Sequence, residues 1–481
     1  WATPLEAKIA VNIEGREVWV RSWLYILECQ TGGSEPVILL DTFLDENHPD
    51  DREITHYLYG GDEVYRLKQE IVLGIGGVRM LHALGFQLRH YHMNEGHSAL
   101  LAVELLRRLT YSAEDLQSGE SRYDAHQVRK MCNFTTHTPV EVGHDQFSYE
   151  LVGRLLGDFI DINELKKLGG QDRLNMTLLA LNLSKYINGV AKNHAESSQK
   201  LYPGHHIHAI TNGVHPYTWT CKSFAKLYDV YLPGWCHEPE LMVRVDQIPD
   251  RAIWQAHVLA KSSLAETVEV LCGVKLDPDI PTLGFARRMT AYKQPDLLFS
   301  DLQRLKSIAQ QHPFQLVLAG KAHPRDLEGK RLIEVLHAHI GELADTIRVV
   351  FLPDYRMDIA QTMVSGVDVW LNTPLRPLEA SGTSGMKAAF NGVPHLSVMD
   401  GWWVEGCIEG VTGLGIGSAS DASGGGDVGV LYEKLEQVIL PLYYDNRADW
   451  IAIMKGAIGK SASYFNSHRM MRRYGIEAYL R

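Results

Sequence analysis

Residues 367–391 are the stretch that decides the fold. They begin with the apolar run V-D-V-W-L (367–371), pass Pro374 and Pro377, and continue as E-A-S-G-T-S-G-M-K-A-A-F-N (379–391). A short, β-branched apolar run is typical of a buried parallel strand, and the two prolines interrupt the chain before the next element. The stretch therefore predicts a strand, a loop and a helix.

Lys387 falls near the start of the predicted helix. Gly382 and Gly385 allow a close backbone approach, and Thr383 or Ser384 can act as the N-cap, so free amides would face an anion. A lysine amine in this setting can be neutral enough to attack an aldehyde, as pyridoxal phosphate requires. Spacing by itself leaves a second interpretation open, a capped helix that carries a solvated surface lysine.

Residues 379–391 resemble the cofactor-lysine signature of the α-glucan phosphorylases that act on glycogen, starch or maltodextrin, in their short bacterial form. Phe390 stands where Leu or Met is expected, and this exchange keeps an apolar side chain. The resemblance implies that Lys387 carries pyridoxal phosphate. It also implies that Glu379 grips sugar hydroxyls together with the backbone of Ser381 and Gly382. The other residues that it assigns to the cofactor are Thr383, Ser384 and Gly385.

The composition restricts the class of protein. With 481 residues and 45% hydrophobic content, the chain can form two or three domains. A count of 47 basic against 58 acidic residues gives a net charge of -11 without a basic block, which disfavours nucleic acid as a partner. The six cysteines contain no C-x-x-C pair, and neither a membrane-spanning run nor a signal peptide is found. We therefore expect free thiols, no membrane partner and a cytoplasmic location.

The chain opens on Trp1, and strand-like alternation over residues 8–40 begins without a preceding helix. From this we expect a fragment that lacks an N-terminal portion. The family also uses a glycine-rich loop, G-G-L-G, to approach the phosphates. This sequence does not contain the loop, which would precede Trp1, so the first domain is expected to be incomplete.

Two motifs in the first half contain histidines. The turn Y-H-M-N-E-G-H-S-A (91–99) has two histidines five residues apart with no third ligand in register, so we expect no metal there. The loop N-F-T-T-H-T-P (133–139) carries a lone histidine, which is more often structural than catalytic. It resembles the phosphorylase loop that contacts the glucosyl unit at the cleavage site, which implies that His137 is a catalytic and sugar-binding residue.

Residues 66–84 predict a long amphipathic helix whose glycines at 74, 76 and 77 indicate tight helix packing, and residues 251–272 predict another helix. Residues 173–197 predict a single amphipathic helix. The loop T-N-G-V-H-P (211–216) follows, and its Asn-Gly pair is ordinary turn chemistry. It also resembles the family's substrate loop, so Asn212 is implied as a hydrogen-bond partner of a sugar hydroxyl.

Beyond residue 280, strands and helices alternate regularly, which predicts a doubly wound parallel sheet. The predicted strands are 282–286, 315–319, 347–352 and 367–371. Ligands of such sheets collect at the carboxyl ends of the strands. Cationic or phosphate-compatible groups follow all four ends, so we expect an anion site at this edge. The absence of G-x-G-x-x-G after the first strand and of a P-loop motif disfavours dinucleotide enzymes and P-loop kinases.

The segment F-A-R-R-M-T-A-Y-K (285–293) resembles the phosphorylase segment that holds the substrate phosphate, with Arg288 and Lys293 in those roles. Tyr355 resembles the tyrosine near the cofactor phosphate. The resemblance implies a GT-B fold, in which two Rossmann-like domains face each other across a cleft. We expect an incomplete glucan-binding domain over 1–240, a cofactor domain over 241–455, and a C-terminal helix over 456–481 that crosses back to the first domain.

The implied activity is reversible, retaining phosphorolysis of a terminal α-1,4-glucosyl residue to glucose 1-phosphate. Its partners would be an α-1,4-glucan and inorganic phosphate, and the family also allows a homodimer. Two alternatives stay open. A nucleotide-sugar glycosyltransferase shares the GT-B fold, and a non-catalytic glucan-binding fragment would result if the glycine-rich loop is truly missing.

Overall fold

The computed structural model describes residues 1–29, 32–58, 61–112, 114, 116–117, 120–140, 143–421 and 424–480. The chain divides into two compact units, each with its own hydrophobic core. The first unit contains residues 1–190, 195–209 and 477–481, and the second contains residues 191–194 and 210–476. The predicted domain limits at residues 240 and 455 stay a prediction. Arg481, the last residue of the predicted C-terminal helix, lies outside the described residues.

The first unit combines a parallel sheet with antiparallel strands. Its strands are β1 (Thr3–Ile13), β2 (Arg16–Glu28), β3 (Ser34–Asp41), β4 (Tyr91–Asn94), β5 (Cys132–Thr135), β6 (Gln146–Ser148), β7 (Arg173–Asn175), β8 (Tyr186–Gly189) and β9 (His208–Ala209). Its helices are α1 (Pro49–Arg52), α2 (Glu63–Ile71), α3 (Gly77–Ala83), α4 (Leu100–Arg108), α5 (Ala125–Met131), α6 (Tyr149–Leu156), α7 (Ile162–Gly169) and α8 (Met176–Asn182), and α9 (Lys192–Leu201) begins in the second unit and ends in the first. Strands β4, β5, β8 and β9 form the parallel sheet in that order, β1 to β3 form an antiparallel sheet, and β6 pairs with β7.

The predicted helix over residues 66–84 is present as α2 and α3, joined by a π-helical turn over Val72–Gly76. A Cβ on Gly74 would lie 2.7 Å from the backbone nitrogen of Leu101. The glycine therefore lets this helical segment approach the start of α4 closely, as the sequence predicted.

The single helix predicted over residues 173–197 is wrong. The structure has β7, α8, β8 and the start of α9 in this range. All four residues of β8 are buried, and β8 lies between β5 and β9 in the parallel sheet. A segment of four residues carries too little periodicity to distinguish a strand from a turn of helix, so pairing with the distant strand β5 decides its conformation.

The second unit contains the larger sheet. Its strands are β10 (Thr282–Arg288), β11 (Gln315–Lys321), β12 (Arg348–Leu352), β13 (Val369–Asn372), β14 (His395–Val398) and β15 (Gly413–Ile416). Its helices are α10 (Pro216–Trp219), α11 (Lys222–Tyr231), α12 (Asp250–Cys272), α13 (Leu302–Gln311), α14 (Leu327–Leu343), α15 (Met357–Gly366), α16 (Ser384–Ala389), α17 (Trp403–Gly406), α18 (Asp427–Lys434), α19 (Leu440–Asp445), α20 (Arg447–Gly456) and α21 (Ser467–Tyr474). Helix α12 ends where Gly273 takes up the left-handed conformation at φ 68°.

The six strands of this sheet are all parallel, in the order β12-β11-β10-β13-β14-β15. The four predicted strands correspond to β10, β11, β12 and β13, so the α/β class with a parallel sheet is confirmed. The sequence analysis missed β14 and β15. Each has only four residues, and β15 contains two glycines, which weaken a strand pattern.

Within the described part of the chain, the helices are too short or too polar to cross a bilayer.

Candidate active site

The candidate site lies at the carboxyl edge of the six-stranded sheet, where the strand order reverses. The chain winds outward through β11 and β12 on one side of β10, and through β14 and β15 on the other side of β13. A crevice forms at such a reversal, between the loops that leave the two central strands. The segment with Arg287, Arg288 and Lys293 leaves β10, and the loop with Glu379 and Lys387 leaves β13.

The side chains of Arg287, Lys293 and Glu379 form a buried ion cluster, called the Glu379 cluster below. Lys293 Nζ lies 2.8 Å from both carboxylate oxygens, and Arg287 Nη2 donates to Oε2. The three residues are only 9%, 8% and 6% exposed, respectively. The two predicted groups Lys293 and Glu379 are therefore brought into direct contact, and they are joined by Arg287, which the sequence analysis counted among the strand-end cations without giving it a role.

Burial and charge act against each other in this cluster. Burial opposes the charged form of Glu379, but Arg287 and Lys293 outweigh it and hold the pKa of its carboxyl below the ordinary value. Burial, assisted by Arg287, lowers the pKa of Lys293 to about 8 despite the contact with Glu379. All three groups are thus charged near neutral pH, and their formal charges sum to one excess positive charge.

Asp400 holds the backbone at Glu379. Its carboxylate accepts hydrogen bonds from the amide of Glu379 at 2.9 Å, the amide of Gly401 at 2.8 Å and the side chain of Asn193 at 2.7 Å. Burial raises the pKa of Asp400 to about 6. The sequence analysis missed Asp400 because it missed β14, although an Asp-Gly pair just after the run H-L-S-V-M was a usable signal.

The loop after Glu379 lies against the segment that contains Asp400. The amide of Trp402 donates to the carbonyl of Ser381 at 2.9 Å, and Gly382 turns the chain at φ 81°. The Ser381 hydroxyl is buried and has no hydrogen-bond partner among the described residues. The three predicted recognition groups, Glu379, Ser381 and Gly382, therefore form one turn that is fixed on two sides.

Helix α16 begins at Ser384, with Thr383 in the N-cap position. Thr383 makes no side-chain capping bond, and the Ser384 hydroxyl instead accepts from Trp370 Nε1 at 3.0 Å. Across the described residues, the amides of Thr383, Ser384 and Gly385 have no backbone acceptor. They are therefore available to an anion, and their role in binding a cofactor phosphate stays a prediction.

Lys387 lies on α16 with its ammonium 4.0 Å from the ring centroid of Trp219. Burial lowers the pKa of this amine, and no hydrogen bond or ion pair to it is present within the described residues. Gly385, two residues earlier, packs against the His395 ring, where a Cβ would lie 2.7 Å from Nε2. An unengaged amine beside unengaged amides fits an aldehyde that also carries a phosphate.

The outer part of the same edge is exposed and largely neutralised. Asp354 pairs with Lys321 at 2.7 Å and with Arg356 at 3.2 Å. Arg288 is exposed, and its side chain has no ion-pair or hydrogen-bond partner in the part of the chain that the structure describes. Burial raises the pKa of Tyr355 to about 12, so its hydroxyl remains a donor at neutral pH. Of the exposed cations named here, Arg288 is the one available to a ligand.

Helix α21 fixes the loop that contains Asn212 by hydrogen bonds. Arg469 donates to the carbonyls of Thr211 at 2.5 Å and Asn212 at 2.9 Å. A Cβ on Gly213 would lie 2.1 Å from the carbonyl oxygen of Asn466, so only glycine fits there. The half-buried Asn212 side chain has no partner in the described ranges and can bind a ligand.

His137 belongs to the first unit, at the carboxyl end of β5. Its Nε2 lies 2.5 Å from Asn94 Oδ1, and its amide donates to Glu95 Oε2 at 2.8 Å. Glu95 also accepts from the Thr138 hydroxyl at 2.8 Å. These contacts place His137 in a polar loop at the ends of β4 and β5, where ligands of parallel sheets bind.

One group in the first unit has metal-ligand chemistry. Donor atoms of Glu70, His97 and Asp145 lie within 4.8 Å of one another. Arg66 Nη2 lies 2.8 Å from His97 Nδ1 and 2.9 Å from Asp145 Oδ2. Burial, followed by the nearby Asp145 charge, raises the pKa of Glu70 well above its ordinary value. Arg66 thus contacts two members of this cluster, and burial favours the uncharged form of the third.

Comparisons with known proteins agree with the geometry. Residues 161–410 match a family model described as carbohydrate phosphorylase. The chain is 39% identical to the maltodextrin phosphorylase of Thermococcus litoralis, over 97% of this chain and 59% of that protein. It is 36% identical to the glycogen phosphorylase of Aquifex aeolicus, over 98% of this chain and 75% of that protein. The glycogen phosphorylase of Mycobacterium tuberculosis is 34% identical, with 93% of this chain and 58% of that protein covered.

Proposed function

This chain belongs to the carbohydrate phosphorylase family, and from that premise we propose that its protein is an α-1,4-glucan phosphorylase. The reaction is reversible, retaining phosphorolysis of a terminal glucosyl residue to glucose 1-phosphate. Because the chain spans only 59% of the Thermococcus litoralis relative, the activity, the substrates and the GT-B arrangement of the whole protein are part of this proposal. The observation that carries it is the convergence of Arg288, the Glu379 cluster and Lys387 on one reversal of strand order.

Lys387 would hold pyridoxal phosphate, with the amides of Thr383, Ser384 and Gly385 and the Tyr355 hydroxyl near its phosphate. Three features support the fit. The Lys387 amine is unengaged and has a lowered pKa, the amides are free of backbone acceptors among the described residues, and Tyr355 stays protonated. When bound, the cofactor supplies a phosphate group that can exchange a proton with the substrate phosphate.

The cations of the site bind and orient inorganic phosphate. Arg288 is exposed with a free guanidinium fork, and Lys293 is a buried point charge that is positive below about pH 8. Two phosphates side by side repel each other strongly at low dielectric, so a fixed excess of cations lowers the cost of bringing them together. The same cations stabilise charge as it redistributes in the transition state.

Sugar recognition falls to the turn after β13 and to two loop residues. Glu379 accepts from sugar hydroxyls, with the backbone of Ser381 and Gly382 beside it. Asn212 and His137 offer further polar groups. The fixed turn and the anchored Asn212 loop support these roles, because a preorganised site loses little entropy on binding.

The matched relatives disfavour a nucleotide-sugar glycosyltransferase, since the three described above are named phosphorylases. A non-catalytic glucan-binding protein is separated from an enzyme by the assay below. The family also allows a homodimer. A cytoplasmic location is supported by the six free cysteines.

The proposal is tested by borohydride reduction of the 481-residue chain in the presence of pyridoxal phosphate, followed by peptide mass mapping. We expect a pyridoxyl group on Lys387, its loss in Lys387→Ala, and its retention in the matched control Lys321→Ala, which removes an exposed lysine at the same edge. An adduct at another lysine, or none, would contradict the cofactor assignment. Phosphate-dependent release of glucose 1-phosphate from maltoheptaose then distinguishes an enzyme from a binding protein.

A further inference from the structure

The Glu379 cluster contains more donors than its carboxylate can satisfy. Glu379 accepts from Lys293 and from Arg287 Nη2, whereas Arg287 Nη1 is buried without a partner among the described residues. A buried, unpaired guanidinium N–H costs free energy, and it points to an acceptor larger than one carboxylate.

Phosphate meets that requirement better than Glu379 does. It carries more negative charge than a carboxylate near neutral pH, and it presents more oxygens to the Arg287 fork and to Lys293. An anion that reaches these two cations must therefore compete with Glu379 for the same N–H groups.

Two glycines lie against the stem of the Glu379 side chain, while its amide is fixed by Asp400. A Cβ on Gly382 would lie 3.2 Å from Glu379 Cγ, and a Cβ on Gly401 would lie 3.0 Å from the same atom. Because both neighbours are glycines, no side chain at these two positions blocks a rotation of the Glu379 stem on its fixed backbone.

We propose that Glu379 is an internal competitor of phosphate: its carboxylate occupies Arg287 and Lys293 until phosphate takes them, and the released carboxylate then accepts sugar hydroxyls. The inference rests on the proposed function and adds an order of events to it. Phosphate binding prepares the sugar site, and by linkage the sugar strengthens phosphate binding by the same factor.

The test is calorimetric titration of the full chain with inorganic phosphate at pH 7 and constant ionic strength. Glu379→Gln keeps the size of the side chain but removes its charge, so the competitor is weakened. We expect phosphate to bind about 10- to 100-fold more tightly to this variant, the equivalent of one lost charge-assisted contact. Glu379→Asp keeps the charge but shortens the reach, and we expect an intermediate gain.

The matched control is Asp354→Asn, which removes one carboxylate from the exposed Lys321 and Arg356 pair at the same edge. Its charges are screened by solvent, so we expect a change of no more than about twofold. Equal or weaker phosphate binding in both Glu379 variants would overturn the inference and leave the proposed function standing. Absence of phosphate binding in wild type and all variants would overturn both.

A second readout uses wild-type protein and maltoheptaose. We expect phosphate to raise the affinity for maltoheptaose in wild type, and this gain to disappear in Glu379→Gln. A phosphate effect that persists in Glu379→Gln would also overturn the inference.

Discussion

The second unit contains two buried carboxylates at opposite ends of the same two strands. Asp368, just before β13, accepts from Lys261 Nζ at 2.8 Å, His257 Nε2 at 2.8 Å and the amide of Thr282, the first residue of β10, at 2.7 Å. Glu379 follows the other end of β13 and contacts Arg287 and Lys293 from the other end of β10. We call Asp368, Lys261 and His257 the Asp368 network.

The two clusters differ in whether the N–H donors of their cations all have acceptors. Lys261 has further acceptors in the Ile280 carbonyl at 2.7 Å and the Tyr443 hydroxyl at 3.2 Å. With Asp368, each of its three N–H donors therefore has an acceptor. In the Glu379 cluster, Arg287 Nη1 has no partner among the described residues. In the Asp368 network the cation Lys261 is thus fully paired, although His257 Nδ1 has no partner among the described residues, whereas a cation of the Glu379 cluster keeps an unused N–H donor. The comparison therefore rests on the two cations: the one at the amino ends of the strands is satisfied, and the one at the carboxyl ends can still bind an acceptor.

The largest effect should come from the Asp368 network. Asp368→Asn leaves Lys261 buried without its counter-charge and should lower the free energy of unfolding of the second unit by about 3–5 kcal/mol. Urea denaturation followed by tryptophan fluorescence measures this loss. Asp354→Asn, an exposed aspartate of the same unit, should leave the free energy of unfolding nearly unchanged. Similar losses of unfolding free energy in Asp368→Asn and Asp354→Asn would contradict the structural role of the Asp368 network.

Acid provides a control on the same network. Burial opposes the charge of Asp368, but Lys261 and His257 hold its pKa well below the ordinary value. Its contribution to stability is therefore present above the unfolded pKa of about 4 and is lost as the pH falls below it. Wild type should lose stability more steeply than Asp368→Asn below that pH.

At the carboxyl edge, Arg288→Gln should weaken phosphate binding by about 10- to 100-fold, because one charge-assisted contact is lost. Its stability should be unchanged, since the guanidinium has no partner within the described residues. Arg356→Gln is the matched control, an exposed arginine of the same edge that already pairs with Asp354 and Asp358. Calorimetry with inorganic phosphate measures the phosphate affinity of both variants. Equal losses of affinity would show that phosphate binding depends on net charge and not on the position of Arg288.

The smallest effect concerns Asp400, whose ionised form accepts three hydrogen bonds around the turn at residues 379–382, which we propose binds the sugar. As the pH rises through about 6, ionisation should strengthen maltoheptaose binding by about threefold to tenfold. Because its folded pKa is raised, the stability from this group is present below about pH 4 and is lost as the pH rises through about 6, opposite to Asp368. Asp400→Asn should remove both dependences. Binding curves for maltoheptaose between pH 5 and 7 that are identical for wild type and variant would contradict this role.

Long, regular elements were predictable from the sequence. The predicted helix over residues 251–272 corresponds to α12, and the four predicted strands are β10 to β13. The short strands β8, β14 and β15 were not predictable, because a run of four residues carries too little periodicity. With β14 missing, Asp400 could not be placed at the edge of the sheet. The residue that fixes the turn at residues 379–382 was therefore overlooked.

The sequence by itself determined the local chemistry of this protein. It placed Lys387 at the start of a helix after a glycine-containing loop, and it placed cations after β10, because propensity and turn chemistry act between near neighbours. Only the tertiary structure decided which groups meet. Arg287 and Glu379 are 92 positions apart in the chain, and Asn193 and Asp400 are 207 positions apart. Ion pairing and pKa depend on distance and burial, which exist only once the sheet has brought these segments together.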